Sequence, residues 1–555
     1  MPDTLSDLRA RRAIASTRLA LNEAVFDWCL RNARRELARQ ALEPALAWSL
    51  LAARSAVHHG FGWLASAALE ETLLEAAERL PVPDHPVPWS GPTRWLHVMD
   101  QAYALGGHTA LVERWTELDR RGDRHRVLLL SQRGAIHPRL VEAMQAAGGA
   151  GAAHDPGAPL VDRALRLRQE ARRHADRVVL HVHPWSVLPV VALGVAGGPP
   201  VMLLNHLSQT FWVGGSIADL VLSLRDSALD WTRAYRGITR NALLPIPVPR
   251  PRESETRAAA RRALGLPADA VVLLTNGHAY KSPPLPRHDF LGAAAATLPA
   301  RPRAHLLAVG PREDARWRAL RDASGRRALA TGPRHDLALF HAAADVYLEG
   351  FPIGSPTAFL EAGLRGLPCV RAPVDVPPPF AIDGVAVLGL EQPPDVAGYV
   401  GAALALVDDL GARAAEGAAL ARAIETHHGA DGWVSHLMAA ERALPERHRL
   451  HPPVGVAPLP GPIRDFSVTL STRHHVDDTL TFTLRAALEQ GLRPGLDAPL
   501  VRTLAGHCLT RDPRMLLRRP LLSALAGSLA GPALVDRVRR ARRRLIPAPR
   551  SDGQA

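Results

Sequence analysis

Lysine is nearly absent from this chain. Of its 67 Lys and Arg residues one is a lysine, Lys281, and asparagine is also scarce, at five residues. A chain that uses arginine by default and keeps a single lysine draws attention to that position. An ammonium is a compact point charge and a guanidinium a planar fork, so the two do not exchange freely at a tight phosphate site. Cysteine is almost as rare. Cys29, Cys369 and Cys508 lie far apart, which excludes a disulfide framework or a zinc knuckle and fits a reducing cytoplasm. Long apolar runs are missing: Gly, Pro or Arg breaks each one well before about 18 residues, so no membrane-spanning helix is expected. The N-terminus has no basic segment leading into an apolar one, so no signal peptide is expected. The composition, 47% hydrophobic and 22% charged, is that of a globular chain, and 555 residues suggest about three domains. The net charge of +13 invites anionic partners: nucleic acid, anionic lipid or a phosphorylated small molecule. Charge alone does not choose among them.

Residues 1–82 read as a helical region. Leu21, Val25, Trp28, Cys29, Ala33 and Leu37 follow helical spacing, and further helical stretches cover 45–57 and 66–80. No period repeats, which favours a helical subdomain packed on its neighbour over a repeat array. A Pro-rich linker, 81–88, follows. Residues 90–245 then alternate short apolar runs with helical stretches, the pattern of parallel βαβ units. The expected strands are Trp95–Val98, Val127–Leu130, Val178–Val182, Val201–Leu204 and Leu220–Leu224. The run Ile246–Pro251 marks a hinge. A second alternating series occupies 250–440, with strands expected at Val271–Leu274, Ala304–Val309, Ala328–Ala330, Val346–Leu348, Cys369–Arg371 and Val385–Leu388. The fold class is therefore α/β: two Rossmann-like doubly wound domains, with a cleft between their strand C-termini. Residues 441–555 read as a helical, Arg-rich extension. Its dense segment, 537–550, is an ordinary solvated face or a contact with an anionic membrane surface.

Three segments carry candidate chemistry. Gly106-Gly107-His108-Thr109 follows the first strand of a βαβ unit and precedes a helix, so its backbone can approach a phosphate or an acceptor; it is equally a tight turn with no ligand. His181 and His183, and His206 with Asn205 and Gln209, mark the ends of two strands. Alternation places His181 and His183 on one side of their strand. A near-neutral imidazole suits general-base work on a hydroxyl, with His206 and His183 as the candidate catalytic residues; the plain alternative is a structural strand-end histidine. No Asp or Glu accompanies them locally, which disfavours a metal. The third segment, His335–Val370, reads as helix, short strand, Gly-Ser-Pro-Thr turn, helix, Gly, strand. Ser355 is placed to cap a helix with Pro356 at its first position, leaving amides free for a phosphate. Glu361 lies nearly two turns in, where it would reach a ribose diol as a bidentate acceptor.

The runs Ala344-Asp345-Val346-Tyr347-Leu348, Gly350-Phe351-Pro352, Glu361-Ala362 and Gly366-Leu367-Pro368 resemble the C-terminal signature of GT-B-fold glycosyltransferases, over roughly residues 90–430. The second half is similar to family-4 and O-GlcNAc-transferase-like enzymes. The resemblance implies a nucleotide-sugar donor site in the second domain, with Lys281 on the diphosphate, Glu361 on the ribose, and Gly354, Ser355, Thr357 and His335 around them. It implies an acceptor side in the first domain, at Gly106, Gly107 and His108. The retaining subgroup has two glutamates separated by seven residues. Here Glu349 and Glu361 have eleven between them. The Phe-Pro-x-Gly-Ser-x-Thr stretch is similar to inverting enzymes that glycosylate protein side chains. The expectation is a cytoplasmic, metal-independent transferase without a cofactor. Its partners would be a nucleoside-diphosphate sugar and an acceptor hydroxyl or side chain on a protein, glycan or lipid-linked molecule, with peripheral membrane contact through 537–550 and no specific nucleic acid. The rivals are a GT-B-like nucleotide-sugar epimerase and a non-catalytic, helical-repeat scaffold.

Overall fold

A computed structural model describes residues 5–82, 89–103, 107–250, 255–285, 287–376, 380–384, 389–474, 479–492 and a few positions between 496 and 504, with side chains outside that description at 5–17 and 468–474. Two parallel sheets organise it. The first contains β1 (Arg94–Met99), β2 (Arg124–Leu129), β3 (Gly151–Ala153), β4 (Arg177–His181), β5 (Val201–Asn205), β6 (Leu220–Ser223) and β7 (Asn241–Leu243), in the order β3-β2-β1-β4-β5-β6-β7. The second contains β8 (Val271–Asn276), β9 (Ala304–Val309), β10 (Ala328–Ala330), β11 (Val346–Leu348) and β12 (Cys369–Val370), in the order β10-β9-β8-β11-β12. Every pairing is parallel. All residues of β5, β6 and β11 are buried. Their near-continuous Val and Leu runs are what a parallel sheet covered on both faces requires.

Two strands were not expected from the sequence, β3 and β7. Each has three residues and lies at a sheet edge. Gly-Ala-Ala and Asn-Ala-Leu lack β-branched residues, so the open ladders of β2 and β6, not local preference, recruit them. The expected strand Val385–Leu388 lies outside the described residues, and so does the Arg-dense segment 537–550.

The N-terminal helices Leu5–Ala38, Leu42–His59 and Ala67–Glu78 do not form a free-standing array. Trp28, Trp48, Leu51 and Leu73 share one core with Leu96, Val98, Val178 and Leu203 of the first sheet. Leu480, Leu484 and Ala487, from the helix Thr479–Glu489, join the same core. Each fully buried leucine there contributes about 1.5–3 kcal/mol. The joint is tied by Arg168, whose buried guanidinium donates to the carbonyls of Ala77, Leu80, Pro81, Val191 and Ala192. Burial lowers its pKa to about 10, and the five carbonyls occupy its donors.

The helix Ala430–Arg442 follows the second sheet in sequence but packs on the first. Trp433 and Leu437 are buried with Trp95 and Trp115, and the Trp115 and Trp433 rings meet edge to face at 5.2 Å. This helix thus carries the chain from the second sheet back onto the first. Among the described residues no helix is long and apolar enough to cross a membrane.

Candidate active site

Strand order locates the crevice. In the first sheet the chain runs outward in one direction from β1 and in the other from β4; in the second it does so from β8 and β11. Open α/β sheets bind ligands outside the strand C-termini at such switch points. Asp100, Tyr103 and the helix Gly107–Leu118 follow β1, and His183 follows β4. Lys281 follows β8, and Glu349 to Ser355 follow β11. The two switch points face each other. A Cβ on Gly107 would stand 3.2 Å from Thr357 Oγ1, so two helix starts nearly touch across the cleft. Between the sheets lie a cavity of about 480 Å3 and one of about 220 Å3. Gly107, Lys281, Pro356 and Thr357 line both.

Lys281 ends a single helical turn, Ala279–Lys281. Its Nζ donates to Gly354 O and Ser355 Oγ, both at 3.1 Å. These acceptors are neutral, and Lys281 forms no ion pair among the described residues. Burial first, and then the charge of Arg225, lower its pKa to about 8, against the opposing pull of Glu349. Ser355 does occupy the N-cap position, with Pro356 first in the helix Pro356–Leu364, but its hydroxyl makes no capping bond. It accepts from Lys281 instead, so the cap expected from the sequence is replaced by a cation anchor. The first-turn amides of Thr357 and Ala358, which have no partner within a helix, belong to residues lining the larger cavity.

Gly354 lies behind the lysine. A side chain there would strike the Glu349 carboxylate, which accepts the amides of Ala372 and Ile382, each at 2.8 Å. Burial raises the Glu349 pKa to about 7. Glu361 lines the larger cavity and takes Arg114 of the opposite domain on its Oε1. Sequence reasoning did not foresee this partner, because the two residues belong to different domains. His335 is an exposed residue of the same cavity.

The smaller cavity holds a stacked pair of imidazoles. His108 and His206 line it and stack, with ring centroids 4.6 Å apart and planes 18° from parallel. His206 Nδ1 lies 3.3 Å from Leu204 O. A carbonyl only accepts, so Nδ1 carries the proton and Nε2 is left as a lone pair. Burial lowers the pKa of His206 to about 4 and holds that of His108 well below the usual value. His183 lines neither cavity; its ring lies beside Asp100, at 3.6 Å, and Tyr103 Oη, at 3.3 Å. β4 stops at His181, so strand alternation does not carry through to His183. His181 is fully buried in the sheet. Gly106 lies outside the described residues.

The sequence reading missed Arg225, which lines the smaller cavity just beyond β6. It donates to Ala381 O at 3.2 Å and faces Asp383 at 3.9 Å. A cation directly after an apolar strand was its one local signal.

Structural similarity connects this chain with several glycosyltransferases. An O-GlcNAc transferase of Thermobaculum terrenum aligns at TM-score 0.46 and 17% identity, covering 78% of this chain and 83% of that one. HepE of Anabaena, in complex with UDP and glucose, aligns at TM-score 0.48 and 14% identity, covering 63% and 99%. WaaG, a glycosyltransferase of lipopolysaccharide biosynthesis, aligns at TM-score 0.43 and 15% identity, covering 63% and 99%. No protein-family model and no curated protein matches the sequence.

Proposed function

We propose that this chain is a GT-B glycosyltransferase that moves a sugar from a nucleoside diphosphate to an acceptor hydroxyl or side chain. The observation that carries the reading is the place of Lys281. Its ammonium is held by two neutral oxygens at the junction of two cavities, beside two helix starts. A diphosphate at that junction would supply the missing anion, with its nucleoside in the larger cavity and its sugar towards the smaller. One carboxylate oxygen of Glu361 is taken by Arg114, so a ribose diol would use the other.

In this reading Lys281, Arg225 and the amides of Thr357 and Ala358 receive the charge that develops on the departing diphosphate. Preorganised donors in a water-poor site are the largest contribution in many enzymes. His206 takes the acceptor proton on Nε2. Its low pKa keeps that lone pair free at neutral pH but makes it a weak base. The incoming diphosphate raises its basicity by its own negative charge. Calorimetric titration with UDP, GDP and ADP, followed by assay of the matching nucleotide sugars for hydrolysis, tests the proposal. Absence of binding by all three nucleotides would leave a non-catalytic scaffold as the better account.

A further inference from the structure

Behind the cleft wall, three fully buried histidines form a chain across neighbouring strands. His97 of β1 places Nδ1 3.0 Å from His181 Nε2 of β4, and Nε2 3.0 Å from His125 Nδ1 of β2. The line continues to Asp119, whose Oδ2 lies 3.6 Å from His125 Nε2. Arg121 clamps that carboxylate through two bonds of 2.6 Å and in turn reaches Glu441. The other charged neighbour of His125 is Asp123, 2.9 Å from the Trp95 indole N–H. Towards the cleft, burial and then the neighbouring His206 lower the pKa of His181, and His206 in turn stacks on His108. The indoles of Trp95 and Trp115 cover the line.

A nitrogen-to-nitrogen hydrogen bond needs one N–H and one lone pair, and a neutral imidazole has one of each. Two such bonds through His97 therefore allow two directions only. If the protons pointed from His125 towards His181, a bare Nε2 would face the Asp119 carboxylate. His181 would also bury an Nδ1–H with no acceptor, since that atom has no partner among the described residues. In the opposite direction His125 Nε2–H faces Asp119, and the chain ends in a lone pair on His181 Nδ1. Each direction leaves one buried N–H without a hydrogen-bond partner, on His181 Nδ1 in the first and on His125 Nε2 in the second, but only the second turns an N–H, and not a lone pair, towards the Asp119 carboxylate 3.6 Å away, so the second direction prevails.

We propose that Asp119 is a positioning residue that sets the direction of this chain from about three rings away, holding His125, His97 and His181 as Nε2–H tautomers, so that His181 is an acceptor and not a donor behind His206 and His108. The direction follows from the buried chain alone. Its use in catalysis rests on the assignment of His206 above.

The test uses the full chain with 15N-labelled histidine and long-range proton–nitrogen spectra at neutral pH. The three rings are assigned by the peaks lost in His97→Gln, His125→Gln and His181→Gln. The expected result is an Nε2–H pattern for all three in the parent. In Asp119→Asn at least one ring should change to Nδ1–H, whereas Asp123→Asn, which removes a nearby charge outside the chain, should leave all three unchanged. An Nδ1–H or doubly protonated ring in the parent overturns the proposal. So does an unchanged pattern in a folded Asp119→Asn protein. Neither readout depends on donor binding, so failure here is distinct from failure of the transferase reading.

Discussion

The two walls of the cleft are built differently. On the second sheet Glu349, Gly354, Ser355, Thr357 and Glu361 come from one short stretch, and Lys281 is held against it by two hydrogen bonds. On the first sheet His108, His206 and Arg225 follow three different strands and meet only when the sheet is formed. The first arrangement suits a ligand part that is always the same, such as a diphosphate. The second can change one residue at a time, and in the proposed reading it would meet the acceptor. Contiguity also decides what is visible before folding: a turn that precedes a helix announces itself as a unit, whereas His108 and His206 stand out only one by one and their meeting with Arg225 does not.

Substitutions on the two walls should therefore separate chemistry from binding. The largest effect is expected at His206. His206→Ala should lower kcat by roughly 10²- to 10⁴-fold, the usual contribution of a general base, with nucleotide affinity little changed. A parallel His183→Ala should do much less, because His183 lines neither cavity. If His183→Ala gives the greater loss, the base has been misassigned. Lys281→Ala should weaken nucleoside-diphosphate binding by about 1.5–3 kcal/mol, or roughly 10- to 150-fold, and leave plain nucleoside binding nearly untouched. Lys281→Arg should recover part of it. Calorimetry on variants that melt like the parent checks this, and parental affinity in Lys281→Ala would remove the basis of the donor site.

A third prediction concerns acid. His206, His428 and His125 have pKa values lowered to about 4, and His181 to about 3, all chiefly by burial. The unfolded chain binds protons below the ordinary histidine value of about 6.5 that the folded chain refuses. Stability should thus be full above that pH and fall as the pH drops towards 4, by about 1.4 kcal/mol per pH unit for each such histidine. Urea unfolding at pH 7.5, 6 and 5 reads it, and a flat profile would mean that these rings are not buried neutral. The smallest effect is expected for Glu361→Gln. With one oxygen already on Arg114, it should weaken nucleosides and nucleotides alike by about 0.5–1.5 kcal/mol. A loss confined to diphosphates would place the ribose elsewhere.

The central strands were legible because Val- and Leu-rich runs buried on both faces have few other fates. β3 and β7 were not, since a three-residue Gly-Ala-Ala or Asn-Ala-Leu segment becomes a strand only when a neighbour offers its ladder. Lys281 stood out because composition isolates it. Arg114, equally close to the candidate site, was hidden among the many arginines of the chain.

By itself the sequence determined the alternation of strands and helices, the Gly-Ser-Pro-Thr turn ahead of a helix, and the lone ammonium after β8, because each depends on neighbours within a few residues. Tertiary structure alone decided that Ser355 binds Lys281 and does not cap its helix, that Arg114 reaches Glu361, and that His97, His125 and His181 join into one line. Those contacts need strands and domains brought together over long separations, and burial, which exists only after folding, then sets the protonation of what they hold.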